Sequence, residues 1–318
     1  MQSAPAVRVS IGLPVYNGEK YLEETLDAIL AQTFTDFELI IADNVSTDST
    51  EEICRAYAAK DDRIRYSRYE KNLGPAWNHN RVFELSTGEY FKWAAHDDLI
   101  APDLIDKCVE VLDQDPSVVL SHSMANVIAD TECSARGKYD IQLNTDSDKS
   151  HERLFGLMFG DKKFGDHRCY QVYGLIRSAA LKQTDVIGFY AHADGVLLVQ
   201  LAFLGRFYKI PEYLFFPRYH EKQSTQIARA HYHLYTAWFD PSKQGKITFP
   251  RWKILFEYLK AISLAPATIY ERAICYFYWL NWLRKKRYRL REDLVIAAQL
   301  LWQHWRAKRN LEGEYVKQ

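Results

Sequence analysis

The first 130 residues alternate short apolar runs with amphipathic segments, and this alternation constrains the fold more than any other feature. The runs VRVSIGLPVY, FELIIADN, IRYSRY and EYFKWAAH are typical of strands because they are rich in β-branched and aromatic residues. The intervening segments GEKYLEETLDAILAQ, STDSTEEICRAYAA and PAWNHNRVFELS are helix-like, as is PDLIDKCVEVLDQD after the fourth run. Strands alternating with helices of this length predict an α/β fold with a mostly parallel central sheet and helices on both faces.

The rest of the chain predicts fewer strands and more helices. The polar stretch from Cys133 to Ser150 predicts a loop. HERLFGLMFG and HADGVLLVQLAFLG predict helices, VYGLIR a short strand, and RFYKIPE and YLFFPRYH a pair of strands. After Pro250 the chain predicts three more helices, RWKILFEYLKAI, IYERAICYFYWLNWLRKKRYRL and REDLVIAAQLLWQHWRAK. We therefore expect a helical C-terminal extension.

Composition argues against several classes of protein. The 41 Lys and Arg balance 41 Asp and Glu, so no positive field indicates a nucleic-acid binder. The 5 Cys are far apart without a CxxC pair, which argues against a disulfide framework or a zinc site and favours the reducing cytoplasm. The N-terminus lacks signal-peptide features, and AICYFYWLNWL is shorter than the ~20 residues of a spanning helix. We expect a cytoplasmic protein, at most peripheral at the inner face of the cell membrane.

Polar residues follow three of the predicted strands where each strand ends. Strand one ends in PVYN, strand two in ADN and strand four in HDD. Ligands of such sheets bind at the carboxyl ends of the strands, so these residues should form one concave site. No Walker loop or GxGxxG motif occurs. Asp97 and Asp98 would repel a phosphate unless a divalent cation lay between them, which predicts Mg²⁺ or Mn²⁺. A helix cap before Pro102 is the alternative role for this pair.

Taken together, these segments resemble family 2 glycosyltransferases, which are inverting enzymes of the GT-A nucleotide-diphospho-sugar transferase fold. The resemblance is carried by VSIGLPVYNGEKYLEETLDAILAQTFTDFELIIADNVSTDST, NLGPAWNHN and GEYFKWAAHDDLIAP. It implies a GT-A catalytic domain at 1–240, with a nucleotide-binding half at about 7–130 and an acceptor-binding half at about 131–225, followed by a helical, basic and aromatic region at 241–318. It also implies a nucleotide-sugar donor, commonly a UDP-sugar, a divalent metal, and a glycan or lipid-linked acceptor in bacterial polysaccharide synthesis.

The resemblance also assigns roles to single residues. Asp98 is the implied metal ligand, Asp97 contacts the ribose or a metal-bound water, and His220 is a candidate late metal ligand. Asp43 is implied to bind the base, although the second acid and the glycine that usually follow it are Asn and Val here. Ordinary turn or surface positions are the alternative for several of the other implied nucleotide contacts. These contacts are Pro14, Tyr16, Asn17, Asn72, Gly74 and Asn78.

Inverting transfer also needs a group that takes the proton of the attacking hydroxyl. Asp194, in FYAHADGVLLVQ, resembles the family's catalytic acid at the start of a helix, and a helix cap is its alternative role. Asp166 in KFGDHR is the reserve candidate. Arg218 and Lys222 either steady the diphosphate or lie on a solvated surface.

The region after Pro250 is basic and aromatic, with 14 Lys and Arg against 6 Asp and Glu and five of the chain's 8 Trp. This composition fits helices that rest on anionic headgroups at a membrane surface. The alternative is that these helices pack against the catalytic domain or form a homo-oligomer with a second subunit.

Two other functions share part of the pattern. One is a catalytically silent nucleotide-sugar-binding partner in a polysaccharide-synthesis complex. The acids present at both the rim and the base position argue against this alternative. The other is a sugar nucleotidyltransferase, which needs a glycine-rich basic loop after strand one that PVYNGEKYL lacks.

Overall fold

The computed structural model describes residues 7–130, 135–160, 169–221, 223 and 232–315, and within them ten strands form one sheet. The strands are numbered along the chain. They are β1 Val9–Val15, β2 Phe37–Asp43, β3 Ile64–Arg68, β4 Tyr90–Trp93, β5 Leu99–Ile100, β6 Val118–Ala129, β7 Ala135–Tyr139, β8 Leu175–Arg177, β9 Arg206–Phe216 and β10 Arg218–Tyr219.

The helices follow the predicted alternation in the first half and dominate the C-terminal region. They are α1 Leu22–Leu30, α2 Thr50–Ala58, α3 Pro75–Glu84, α4 Leu104–Gln114, α5 Ser150–Phe159, α6 Ser178–Leu181, α7 Ala193–Leu204, α8 Tyr232–Phe239, α9 Pro250–Leu264 and α10 Ile269–Tyr315. Short 3₁₀ helices cover Tyr170–Tyr173 and Pro241–Lys243.

The strand order along the sheet is β3-β2-β1-β4-β8-β6-β9-β5, while β7 and β10 both pair with β6. The first four strands in this order run parallel, so their carboxyl ends meet at one edge. Strand β8 is antiparallel to both β4 and β6, which makes the second half of the sheet mixed. The structure confirms the α/β class and places the predicted polar strand ends side by side.

Two apolar layers cover the sheet, because successive side chains of a strand point to opposite faces. On one face Val9, Ile11 and Leu13 of β1 pack with buried residues of α1, α2 and α4. On the other face Phe91 and Trp93 of β4 pack with α3, α5, α7 and the C-terminal helices. This arrangement confirms that helices lie on both sides of the sheet.

Pro14 lies in a central strand, where the missing N–H of proline would ordinarily break a ladder. The last β1–β4 pair is Gly12 with Trp93, whereas β1 continues to pair with β2 up to Val15. Pro14 therefore comes after β4 has separated from β1. This separation opens the edge of the sheet between the two strands.

Several predicted elements differ from the structure. The two strands predicted from RFYKIPE and YLFFPRYH are one strand, β9, followed by the two-residue β10. Strand β6 was not predicted, and β7 lies inside the stretch predicted to be a loop. The last two predicted helices form the single helix α10. Each error reflects pairing with β6 or helix packing, which local sequence does not reveal.

The helices after Pro250 share the larger apolar cluster with the sheet. Leu255 and Tyr258 of α9, and Cys275 and Trp282 of α10, belong to the same buried cluster as Trp93. These contacts show that the region packs against the rest of the chain. In the part of the chain that the structure describes, we find no helix that combines the length and apolar character needed to cross a membrane.

Candidate active site

The loops after β1 and β2 are joined by hydrogen bonds at the carboxyl edge of the sheet. Asn17 has a positive φ of 53°, which Asn tolerates better than most residues. Its backbone N donates to Ser46 Oγ at 2.9 Å, and its side-chain oxygen accepts from Thr47 N at 2.8 Å. Tyr16, 47% exposed, lies beside this bridge and faces solvent. Asn17 therefore holds the two loops together, whatever else it contacts.

Asp43 is fully buried where β2 ends. Its Oδ1 accepts from Ser46 N at 2.8 Å, and its Oδ2 accepts from the Tyr66 hydroxyl at 2.8 Å. Arg68 Nε lies 3.4 Å from the same Oδ2. A base would reach this carboxylate only if Tyr66 or Arg68 moved, so base binding by Asp43 remains a prediction.

Two asparagines link the second and third loops of the rim. Asn44 Nδ2 donates to Asn72 Oδ1 at 2.9 Å, and Asn44 Oδ1 accepts from Leu73 N at 3.0 Å. Asn44 thus replaces the acid that the family usually has at this position with a structural amide. Gly74 follows with a φ of +86°, and a Cβ there would lie 2.6 Å from Pro241 Cδ. Only glycine fits this turn against the 3₁₀ helix of the C-terminal region.

Asn78 of α3 is buried, which excludes the solvent-facing role. Its Nδ2 donates to the carbonyl of Ala42 at 2.8 Å and to that of Val15 at 3.4 Å, so it joins the ends of β1 and β2. Its Oδ1 is buried without a hydrogen-bond partner. A buried acceptor without a donor is destabilising, and a bound ligand's N–H or O–H is one group that would satisfy it.

The carboxylates Asp97 and Asp98 lie beyond β4, and the end of β10 approaches them. His220 Nε2 lies 2.8 Å from Asp97 Oδ2, and the backbone N of Arg218 donates to Asp98 Oδ1 at 2.8 Å. His96 packs against Gly18, where a Cβ would lie 2.9 Å from the imidazole Cδ2. The structure therefore brings the two predicted metal ligands, Asp98 and His220, to the same rim as Asp97, and His220 contacts Asp97 rather than Asp98.

The two carboxylates differ in their electrostatics. Burial and the negative charge of Asp97 raise the pKa of Asp98 well above its usual range. Burial also acts to raise the pKa of Asp97, but the charge of His96 and the hydrogen bond from His220 outweigh it, so this pKa is lowered. Two buried carboxylates side by side therefore disfavour a second negative charge, which a divalent cation bound between them would stabilise.

Arg218 is buried at the rim and paired with an acid of α1. Its side chain is 2% exposed, and its guanidinium donates to Glu24, 2.6 Å away, and to the carbonyl of Asp97 at 2.9 Å. It therefore does not lie on a solvated surface, and its contact with a diphosphate stays a prediction. Thr25 Oγ1, 3.0 Å from the carbonyls of both His96 and Asp98, supports the same loop from α1. Lys222 lies outside the described residues.

Asp194 lies in the first turn of α7, whose N-cap is His192. Its Oδ1 accepts from Gly195 N at 2.8 Å, and its side chain is 38% exposed. The pKa of His79 on α3 is lowered mainly by burial; Asp194 acts to raise it and His96 to lower it. His79 thus lies within electrostatic reach of both the base candidate and the HDD motif. Asp166 lies outside the described residues.

Sequence reasoning missed the residues that hold the site together. Tyr66 and Arg68 orient Asp43, Thr25 supports the HDD loop, and the charges of Asp194 and His96 both act on the pKa of His79. Arg68 at the end of a predicted strand was a usable indication, because every other predicted rim residue also followed a strand. Thr25 and His79 lie on helices and had no comparable pattern.

The strand order, the parallel first half of the sheet and the acidic rim define an α/β protein of the GT-A class. A family model described as glycosyl transferase family 2 matches residues 10–183, more than half of the 318 residues. The chain belongs to glycosyl transferase family 2. This result confirms the resemblance on which the residue assignments depend.

Curated relatives match the N-terminal part of the chain. An uncharacterised glycosyltransferase of Rickettsia typhi is 40% identical over 106 residues, which are 33% of this chain and 32% of the relative. The glycosyltransferase GlyG of Streptococcus pneumoniae is 34% identical over 115 residues, 36% of this chain and 38% of GlyG. TuaG of Bacillus subtilis, a glycosyltransferase assigned to teichuronic acid biosynthesis, is 35% identical over 33% of this chain and 41% of its own. The chain thus spans well under half the length of these relatives.

Solved structures extend the likeness to nearly the whole chain. S. aureus TarS 1–349 in complex with UDP-GlcNAc has a TM-score of 0.62 and 19% identity, covering 87% of this chain and 72% of that chain. The mannosyltransferase PcManGT from Pyrobaculum calidifontis, in complex with GDP-Man and Mn²⁺, has a TM-score of 0.56 and 17% identity, covering 96% and 84%. At such identities the likeness concerns the fold alone, and it confirms the GT-A expectation.

Proposed function

We propose that the protein is a metal-dependent inverting glycosyltransferase that moves a sugar from a nucleotide-sugar, most simply a UDP-sugar, to a glycan or lipid-linked acceptor. We place the reaction in bacterial cell-surface polysaccharide synthesis, on the cytoplasmic side of the membrane. The observation that carries the proposal is the meeting of Asp97, Asp98 and His220 at the edge where the parallel strands end.

The donor nucleotide is assigned to the loops after β1, β2 and β3. Asn78 Oδ1 is a buried acceptor without a partner, and the fully buried Asp43 carboxylate ends β2 at the same edge of the sheet. Both suit the N–H and O–H groups of a base and ribose. The complexes of two structural neighbours with UDP-GlcNAc and with GDP-Man support a nucleotide-sugar as donor.

The residues present fit a hard divalent cation. Two carboxylates and an imidazole nitrogen suit Mn²⁺ better than Mg²⁺, which prefers oxygen ligands throughout. Burial and the charge of Asp97 raise the pKa of Asp98 against the opposing contributions of Arg218 and Lys92, and a bound cation would stabilise its charged form. A bound cation would neutralise negative charge on the departing diphosphate. Asp98, held by the backbone of Arg218, and Asp97, held by His220, would keep it at the rim.

Asp194 is assigned as the base. The acceptor hydroxyl attacks the anomeric carbon from the face opposite the diphosphate, the bond from that carbon to the diphosphate oxygen breaks, and the hydroxyl proton passes to the Asp194 carboxylate. The exposure of this carboxylate supports the role. Its charge and that of His96 both act on the pKa of His79, which indicates that Asp194 lies near the rim.

A cavity of about 640 Å³, lined by residues of α9 and of the segment before α7, supports a lipid-linked acceptor. Its lining is mostly apolar, with Phe189, Phe249, Trp252 and Phe256 among its residues, while Lys243 and Lys253 contribute cationic side chains. Burial, and after it the charges of Glu257, Asp185 and Asp194, raise the pKa of Tyr190 in the same lining, so Asp194 lies within electrostatic range of the cavity. Apolar walls with cations suit an acceptor that combines a hydrocarbon chain with phosphate.

A catalytic domain at 1–240 is followed, in this proposal, by a C-terminal region at 241–318. The exposed side of α10 in that region would contact a membrane surface or a second subunit. Trp302 and Trp305 are each 56% exposed, and the basic run from Arg284 to Arg287 lies on the same helix. Aromatic and basic residues together suit both kinds of contact.

The test is a screen of nucleotide-sugars for metal-dependent donor hydrolysis without an acceptor. We expect that at least one UDP-sugar is hydrolysed to UDP in the presence of Mn²⁺ or Mg²⁺. This hydrolysis should stop when EDTA is added. Binding of donors without hydrolysis or transfer would instead favour the alternative, a catalytically silent nucleotide-sugar-binding partner in a polysaccharide-synthesis complex.

A further inference from the structure

A cysteine, a histidine and the candidate base converge beside α7. Cys169, His192 and Asp194 each offer one ligand atom, and these three atoms lie within 4.8 Å of one another. Cys169 comes from the start of a 3₁₀ helix, while the other two residues flank the first residue of α7. The absence of a CxxC pair argued against a zinc site. Cys169 is far from His192 and Asp194 in the sequence, so a motif of fixed spacing could not have revealed this cluster.

The backbone conformation and the local packing orient the side chains of Cys169 and His192. Cys169 and His192 both have left-handed backbones, with φ values of 56° and 66°. A Cβ on Gly195 would lie 2.3 Å from His192 Nε2, so glycine is required for the imidazole to lie back over the helix. These positions are costly for non-glycine residues and concentrate at functional sites.

A second residue orients the imidazole. His192 Nε2 lies 3.2 Å from the hydroxyl of Tyr258, which is 2% exposed on α9. This contact leaves Nδ1 on the side of Asp194, with 3.8 Å between Nδ1 and the carboxylate Oδ1. Metal-binding histidines commonly have their other ring nitrogen fixed by such a partner.

From this geometry we infer that Cys169, His192 and Asp194 form a binding site for a divalent cation of the zinc class, separate from the site at Asp98. Thiolate, imidazole and carboxylate are the ligands of zinc, whereas magnesium and manganese prefer oxygen. Ligand atoms of a tetrahedral zinc site are roughly 3.5 Å apart. The half-exposed side chains of His192 and Asp194 allow that approach to the buried Cys169.

Occupation of this site would inhibit transfer, because a carboxylate bound to a cation no longer accepts the acceptor's proton. This consequence rests on the proposed function, but the binding of the cation does not. On binding, the Cys169 thiol loses its proton to solvent and its sulfur forms the bond to the cation. No oxidant or reductant is needed.

Binding is tested with Co²⁺ as a probe, on reduced full-length protein in excess Mg²⁺. We expect one equivalent of Co²⁺ to produce the thiolate charge-transfer absorption in the wild type and in Cys54→Ser, whose buried thiol lies on α2. The absorption should disappear in Cys169→Ser and weaken in His192→Asn, with all four proteins checked by circular dichroism. Absence of the band in the wild type, or the same band in Cys169→Ser, would overturn the site.

Inhibition is tested separately with Zn²⁺ in the donor assay. We expect Zn²⁺ to lower the wild-type rate by roughly a hundredfold, the size of a lost general base. Cys169→Ser should keep most of its own metal-free rate at the same Zn²⁺ concentration, and equal inhibition of both would refute the inhibitory role. If no donor is turned over, the proposed function fails, while the cobalt band still decides whether the cation site exists.

Discussion

The resemblance to the family implies a glycine at the position of Val45, and the φ of 68° found there is a geometry that glycine would adopt freely. A β-branched residue is rarely found in this region and costs about 1–3 kcal/mol there. The hydrogen bond from Ser46 N to Asp43, at 2.8 Å, closes the same turn. The turn is therefore strained so that it can hold the carboxylate at the end of β2.

Replacing this residue should release the strain. Val45→Gly is expected to raise the free energy of unfolding by about 1 kcal/mol. This gain is the backbone strain that is relieved in the folded state, less the cost of the greater conformational entropy that glycine gives the unfolded chain. Urea denaturation measures the change, with Val186→Gly, at a φ of 54°, as a matched control away from the rim. A loss of stability in Val45→Gly would show that packing of the valine side chain outweighs its strain.

The base assignment leads to a kinetic prediction. Asp194→Asn should lower kcat by ~10²-fold or more while leaving donor affinity unchanged, because the carboxylate accepts a proton and does not contact the nucleotide. Steady-state kinetics and donor titration give the two numbers. Asp185→Asn removes an acid that pairs with Lys260 at 2.7 Å and should change neither. An equal loss of donor binding in Asp194→Asn would make the residue structural.

At the scale of single residues, the sequence predicted positions better than contacts. The rim acids were predictable because each follows an apolar strand, and parallel strands bring such positions together. The pairing of His220 with Asp97 was not predictable, since it depends on β10 joining β6. The burial of Arg218 was not predictable for the same reason: a charged residue after a strand is ordinarily exposed, but here three carbonyl and carboxylate groups surround it.

At the scale of elements, the tryptophans of the C-terminal helices divide into two groups. Trp252 and Trp279 donate their indole N–H to carbonyls of the facing helix at 3.1 and 2.9 Å, and Trp282 is 8% exposed. Trp302 and Trp305 are each 56% exposed at the far end of α10. Composition alone could not separate the packed group from the exposed group, because both kinds of surface use the same residues.

This division predicts separate effects of mutation. Trp282→Ala should lower the free energy of unfolding by about 3–5 kcal/mol, as large core truncations do. The double change Trp302→Ala and Trp305→Ala should leave stability within about 0.5 kcal/mol but reduce either flotation with anionic liposomes or the oligomer mass in light scattering. Truncation after Phe239 would be a poor test, because α9 and α10 complete the core. If the double change has no effect in either assay, the proposal that this side of α10 contacts a membrane or a second subunit is wrong.

At the scale of the whole molecule, the alternation of strands and helices was sufficient to predict the fold class. The first four strands were predicted because they are local runs joined by short helices. Strand β6 was missed although it pairs with β7, β8, β9 and β10, since its SHSMAN segment is polar. Long-range pairing, rather than local propensity, determines this half of the sheet.

A buried lysine connects the fold to pH. Lys92 of β4 is 2% exposed beside α4 and donates to the carbonyl of Tyr173, and burial lowers its pKa to about 8. Between this value and 10.5 the unfolded chain binds more protons than the folded one, so stability rises with pH in that window. Relative to Lys92→Met, the wild type should gain about 3 kcal/mol across it, at about 1.4 kcal/mol per pH unit.

Denaturation of both proteins from neutral to alkaline pH measures this gain. Lys182→Met, which changes an exposed lysine, should follow the wild type at every pH. Parallel curves for the wild type and Lys92→Met would show that Lys92 has the same pKa in the folded and unfolded states.

The most direct test of the central claim is UDP release by Asp98→Asn at saturating Mn²⁺. Asn keeps the shape of the side chain and the oxygen that accepts from Arg218 N at 2.8 Å, but it removes the charge that would bind the cation. We predict that metal-dependent release falls to background with an unchanged melting temperature, while the matched change Asp103→Asn, at a carboxylate that pairs with Lys107, keeps the full rate. Near-normal release by Asp98→Asn would contradict the assignment of this rim as the metal and donor site.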